Sequence, residues 1–395
     1  MRIALIAIGE MGAAGGAGAL LAGRSIARHQ IEFALALGCD KVILFGDGAN
    51  PEAIGLRHAG ERAGAQVQVV SGVRALPASV RGDDQLLVLA HGLLPESRNA
   101  FERLQESPCL LVLPAEAGWS AGFERLDMAA AWGGAMMIPG RLVAALDELP
   151  EEAEPVAGLL RIARQAGVPE QALPERELAE GRWQIVRTPE AALAGERAWI
   201  DRRLPPVSPF LPTSWLSRWL VRRFGRRWAG KKSAALALAG GAAVGVAAAV
   251  LLAWFGFAAV ALALLLPTAM TIEAEAALQQ LDRPVFSARP ASHRAVLALH
   301  LMWDLALLVI GVFAIDGSRV HRLFPPLVLL GLWRASPPVP ESGWRALAGD
   351  RGLLAAVLTL GALWGLTEAA FMAVALLLLA LRLPLPAGET RLTRV

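Results

Sequence analysis

Leu21-Ala-Gly-Arg-Ser-Ile-Ala-Arg-His-Gln-Ile-Glu-Phe-Ala-Leu-Ala-Leu-Gly-Cys-Asp-Lys-Val-Ile43 changes its period part-way along. Ile26, Ile31, Phe33 and Leu35 recur at helical spacing, and Gly38 closes that helix. Lys41-Val-Ile-Leu-Phe45 then reads as a strand, ended by Gly46-Asp47-Gly48. Upstream, the apolar run Arg2 to Ile8 reads as a first strand, and the glycine-rich stretch Gly9 to Gly18 follows it. Val67–Val70, Gln85–Leu89 and Cys109–Leu113 are further short apolar strands with helical segments between them. Such alternation predicts a parallel sheet covered on both faces, an α/β domain over residues 1–204. With one basic residue and no cleavage pattern, the start does not read as a secretory signal peptide.

Beyond that domain the composition changes. The whole chain of 395 residues is 55% hydrophobic and 18% charged, which excludes a disordered chain. Its mean hydropathy of +0.46 is too high for an ordinary soluble enzyme. The apolar residues concentrate after the proline-rich linker Leu204–Pro212. Residues 205–232 hold that linker and a basic amphipathic helix, Trp215–Trp228, with the composition of a membrane-surface segment. Ser233–Trp254 is an uncharged stretch long enough for a bilayer core of roughly 30 Å. Phe257–Ile272, Ala295–Ile315, Leu323–Trp333 and Leu353–Leu381 follow. The last is interrupted by Gly365 and Glu368, so about six spans are expected over 233–384, before a tail at 385–395. Glu273 and Glu275 read as the solvated end of the second span. The arginines of Trp215–Trp228, with Lys231 and Lys232, place the α/β domain on the cytoplasmic side of the inner membrane.

Two cysteines, Cys39 and Cys109, cannot build a disulfide framework or a four-thiolate zinc site. A net charge of +3 is small for a nucleic-acid binder, and none is expected as a partner.

Leu21–Ile43 resembles the sugar-nucleotidyltransferases, which carry an AGRPLL segment opening a helix and then an LGCxxVxxV strand entry. The resemblance implies that the preceding loop, with Gly15, Gly16, Gly18 and Arg24, wraps nucleotide phosphates by close backbone approach. It also implies a magnesium-holding aspartate at the end of a central strand. His91 stands there, after Leu86-Leu-Val-Leu-Ala90. Gly9–Gly18 carries no basic residue, and Lys41, Lys231 and Lys232 are the only lysines.

A domain of this kind joined to about six spans resembles the bifunctional enzymes that fuse an inositol-phosphate cytidylyltransferase to a CDP-alcohol phosphotransferase. The phosphotransferase pattern is D-x2-D-G-x2-A-R-x8-G-x3-D-x3-D. Laid with its arginine on Arg283, it falls on Glu275, Leu278, Gln279, Asp282, Ser292, Val296 and His300. One acid and the arginine coincide with the family's residues. His300 stands where the family has its base, and Asp304 lies one turn further along the same face. Four expectations follow. Arg283 holds a phosphate; Glu275 and Asp282 hold at most one Mg²⁺ or Mn²⁺. His300 and Asp304 are the catalytic candidates. The cluster binds a nucleotide or a phosphorylated alcohol at the cytoplasmic ends of the second and third spans.

Three readings of function stand side by side. One is a catalytically degenerate relative of these fusions, tied to phospholipid or sphingolipid head-group synthesis. Another is an active transferase with a rearranged site. The third is a transporter or lipid-binding protein with a cytoplasmic sensor domain. Membrane lipids are the expected partners, and the resemblance implies a homodimer.

Overall fold

The computed structural model describes residues 1–8, 19–106, 108–150, 153–228, 231–286, 294–335 and 344–382. The chain forms two compact units, one of Met1–Ile200 with Arg283–Pro290 and one of Asp201–Asp282 with Ala291–Val395.

In the first unit, β1 (Arg2–Ala7) is followed by a short hairpin, β2 (Leu20–Leu21) and β3 (Arg24–Ser25). Helix α1 (Ile26–Ala36), β4 (Lys41–Phe45), α2 (Pro51–Ala63), β5 (Gln66–Val70) and β6 (Gln85–Leu89) come next. They lead to β7 (Leu93–Pro95), α3 (Arg98–Glu106), β8 (Cys109–Pro114), α4 (Ala115–Ser120) and β9 (Ala130–Pro139). The unit closes with α5 (Pro155–Gln165), β10 (Glu170–Ala172), α6 (Arg176–Ala179), β11 (Trp183–Ile185) and α7 (Pro189–Arg203). The main sheet has the order β10-β8-β9-β6-β1-β4-β5. β1, β4, β5 and β6 run parallel, and their side chains form the core: Ile3, Leu5, Val42, Ile43, Leu87 and Val88 are fully buried.

One strand departs from the parallel sheet expected. β9 lies antiparallel between β6 and β8, and its register slips where Val112 faces Trp132 but Leu110 faces Met136. Gly133 and Gly134 absorb the slip, Gly134 with φ +78°. The two adjacent glycines form an irregularity inside a ten-residue strand.

Arg283–Pro290 belongs to this unit, where Phe286 stacks on Phe101 with centroids 4.6 Å apart and meets Phe33 edge-on at 5.4 Å. Both cysteines lie in its core, and desolvation pushes the thiol of Cys39 up to about 12 and that of Cys109 up to about 11. Neither thiol is therefore expected to react with a maleimide at pH 7.5 in the native chain, and both should label after denaturation. Labelling of the native protein counted by mass spectrometry checks this.

The second unit is helical: α8 (Pro212–Trp228), α9 (Lys232–Trp254), α10 (Ala258–Asp282), α11 (Arg294–Ala314), α12 (Arg319–Arg334), α13 (Arg351–Leu363) and α14 (Thr367–Arg382). Close approach is set by small residues. A Cβ on Gly245 would come within 2.5 Å of Thr268, and one on Gly311 within 2.5 Å of Pro326. Trp303 fills the interior and donates its indole N–H to the Leu265 carbonyl at 3.0 Å.

The expected six spans are corrected. Among the described residues, three helices are long and apolar enough to cross a membrane: Ser233–Trp254, Ala258–Asp282 and Arg294–Ala314. The stretch Leu353–Leu381 breaks at Gly365, with φ +72°, into helices of 13 and 16 residues. Both are short of the roughly 20 residues a span needs. α12 has 16 residues, and its first turn carries Arg319, His321 and Arg322. The second span also runs longer than read, since α10 continues ten residues past Ile272. Glu275 is consequently a buried mid-helix residue and not a solvated end.

Candidate functional site

In the α/β unit the strand order reverses between β1 and β6: β4 and β5 lie on one side, β9, β8 and β10 on the other. Open sheets of this kind bind ligands outside the carboxyl ends of the strands at such a reversal. Two features flank it, the end of β1 at Ile8 and the turn Ala90–Leu93 leaving β6. The glycines expected to wrap phosphates, Gly15, Gly16 and Gly18, lie outside the described residues. His91 does lie at this reversal. The buried Gln30 of α1 fixes its turn by donating from Nε2 to the carbonyls of Ala90 and Leu93, both at 2.8 Å. Desolvation, with the Arg187 guanidinium nearby, holds the His91 imidazole below its ordinary value. It is neutral at pH 7 and offers a phosphate no charge.

Arg24 sits in the β2–β3 hairpin, whose turn is Ala22 (φ +48°) and Gly23 (φ +73°). Its Nη1 lies 3.3 Å from Glu32 Oε1, so its charge is matched within the unit. The hairpin is tied down by the Ala22 N–H, which donates to the buried Glu196 at 3.0 Å. The described part of this site therefore supplies shape and backbone dipoles, with its arginine already paired.

The helical unit holds a polar cluster built from five helices. Asp304 of α11 is 4% exposed and accepts from two guanidinium groups. Arg334 of α12 donates from Nε at 2.8 Å and also from Nη2; Arg351 of α13 donates from Nε at 3.2 Å and Nη2 at 3.5 Å. One turn earlier, His300 Nε2 lies 3.5 Å from Glu273 Oε1 of α10, and Ser214 of α8 donates to the other Glu273 oxygen at 3.3 Å. The neighbouring Asp350 caps α13 through the Leu353 N–H at 2.9 Å and accepts from the Thr213 backbone at 2.8 Å.

The placement of the expected residues differs from the family pattern. His300 and Asp304 share a face but do not pair with each other; each has its own partners on other helices. Glu275 and Asp282 lie on α10, and Gln279 donates to Glu275 at 2.5 Å. Arg283 belongs to the first unit, whereas the arginines on Asp304 are Arg334 and Arg351. Leu278 and Val296, at two positions where the pattern has aspartates, are buried apolar residues. A catalytic Mg²⁺ or Mn²⁺ does not fit these residues. Among those described, no group of three or more His, Cys, Asp or Glu side chains converges on one point. Sequence reasoning missed Glu273 as the partner of His300, and it missed Arg334 and Arg351. Both arginines border apolar helices, a position that in itself marks ionisable residues worth pairing.

No family model matches the chain, and no curated protein is similar to it. Among solved structures, the chain is similar to a UDP-glucose pyrophosphorylase from Acinetobacter baumanii. The match has 9% identity and a TM-score of 0.38, over 52% of this chain and 95% of that one. The chain has an α/β sheet domain ahead of a mostly helical region, and three of its described helices are long and apolar enough to cross a membrane.

Proposed function

We propose that this membrane protein serves the synthesis of phospholipid or sphingolipid head groups by binding a phosphorylated ligand without turning it over. In this reading it is a degenerate relative of the nucleotidyltransferase–CDP-alcohol phosphotransferase fusions, with its α/β domain in the cytoplasm. The observation that carries the reading is the pairing of Asp304 with Arg334 and Arg351. A metal-dependent transferase needs carboxylates free to ligate; here Asp304 is taken by two guanidinium groups, and Glu273 accepts from Ser214 with His300 Nε2 3.5 Å away. The same arrangement suits an anion. Each guanidinium uses Nε and Nη2 on Asp304, and the Arg334 side chain is 43% exposed, so its outward edge can grip a phosphate.

The test uses the full chain in lipid nanodiscs, with glycerol 3-phosphate, inositol phosphate and CTP as probes. A phosphorylated alcohol should bind without metal, and Arg334→Gln should weaken it about tenfold, the loss of one charge-assisted contact. Neither pyrophosphate nor CMP should be released when Mg²⁺ or Mn²⁺ is added. Metal-dependent turnover, or binding indifferent to Arg334→Gln, would overturn the proposal.

A further inference from the structure

Helix α8 has two faces with different commitments. Within 17 residues it carries Trp215, Trp219, Phe224, Trp228 and five arginines, and no acidic residue. One face is fixed inside the helical unit. Thr213, Ser217 and Val221 are buried, Ser217 Oγ donates to the Met270 carbonyl at 2.9 Å, and Ser214 and Thr213 make the contacts to Glu273 and Asp350 described above. The opposite face holds Trp215 and Trp219, one turn apart, 48% and 49% exposed. Arg223 is exposed beside them, with its guanidinium 5.9 Å from the Phe224 ring centroid. On the other flank Arg218 and Arg222 reach back to the carbonyls of Pro205 and Leu204, which orders their side chains along the helix.

The place of this face in the chain decides what meets it. α9 begins at Lys232, only four residues after α8 ends, and is the first of the three helices able to cross a membrane. α8 therefore lies at a membrane surface, and its outer face meets lipid head groups. Tryptophan rings settle at the head-group level, and guanidinium groups pair with phosphates there. Arg222 is matched by Asp201 at 3.5 Å, whereas Arg223 is exposed with no acid on its own helix, and its charge beside two tryptophans is complementary to an anionic surface and gains nothing from a neutral one.

We infer that the Trp215–Trp219–Arg223 face of α8 is a docking surface for anionic phospholipid. It is independent of the phosphorylated ligand proposed above. The surface binds the anionic lipids of the surrounding leaflet, while the opposite face of the same helix braces the cluster through Ser214 and Thr213.

Full-length protein in nanodiscs of phosphatidylcholine with a minor fraction of phosphatidylglycerol tests this. Native mass spectrometry counts the lipids of each kind retained on the protein. Phosphatidylglycerol should be enriched around the wild type, and the enrichment should fall as salt is raised. Arg223→Gln should lower its affinity about fivefold, the effect of one arginine at a charged surface. Trp215→Ser with Trp219→Ser should lower retention of both lipids. Neither change touches the buried face, so folding is preserved, and an unchanged melting temperature in phosphatidylcholine alone verifies that. Arg334→Gln should leave the enrichment intact, which separates this surface from the phosphate site. No enrichment in the wild type, or enrichment unaffected by Arg223→Gln, would overturn the inference.

Discussion

Asp304→Ala is expected to destabilise the helical unit by about 3 kcal/mol, the lower end of the range for breaking a buried ion pair from one side. The substitution deletes an acceptor used by two guanidinium groups and leaves both charges without their partner. Arg351 is 19% exposed and cannot turn fully to water, whereas Arg334 at 43% can recover part of its hydration. That difference sets the estimate at the lower end. The lost side-chain volume is small, so cavity formation is a minor contributor. Unfolding of the full chain in mixed micelles, followed by circular dichroism against SDS fraction, measures the loss. Replacing all three residues together (Asp304→Leu, Arg334→Met, Arg351→Met) should recover most of it, because no charge is then left unpaired. A loss below about 1 kcal/mol would mean that the three charges are solvated as separate groups.

The parts of the fold legible in sequence are those where local chemistry and tertiary contacts agree. β1, α1, the Gly38 stop and β4 follow from short apolar runs and a left-handed glycine, and the structure places them as read. β9 was not legible, because its two glycines serve a register slip that exists only against β8. After Asp316 the apolar stretches and the break at Gly365 were legible; what was not is that the two resulting helices, of 13 and 16 residues, are each too short to count as a span, and that α12 reaches back to a polar first turn at Arg319.

The polar cluster divides the same way. His300 and Asp304 stand out as ionisable residues in an apolar run, and their i,i+4 spacing allows a mutual pair as well as pairing with Arg283 or Arg294. Spacing along one helix says nothing about charges on neighbouring helices. Glu273, Arg334 and Arg351 lie on three other elements and determine which way each side chain turns. Registration on Arg283 followed a sequence pattern in which two of the aspartate positions are occupied by Leu278 and Val296, and in the structure those two residues are core.

Gly92→Ala, at the strand-order reversal of the α/β unit, is expected to cost about 3 kcal/mol, against about 1 kcal/mol for Gly38→Ala. Both glycines have left-handed backbone, φ +78° and φ +82°, so both substitutions carry the same conformational penalty. They differ in surroundings. A Cβ on Gly38 meets nothing within 4 Å, whereas one on Gly92 would stand 2.8 Å from the Val186 carbonyl oxygen and 3.1 Å from its carbon. Those are backbone atoms and cannot swing aside, and the Gly92 carbonyl also accepts from the Val186 N–H at 2.6 Å. Relief of the clash must therefore part the His91 turn from the β11 end, loosening the β7–β11 pair that starts at Leu93 and Ile185. Hydrogen exchange on the full chain separates the two effects. In Gly92→Ala the Val186 amide and the β7 amides should lose protection, while in Gly38→Ala exchange should rise only modestly and uniformly across the unit. Equal protection at Val186 in the two variants would show that the turn accommodates a methyl group, and that Gly92 is there for its backbone conformation alone.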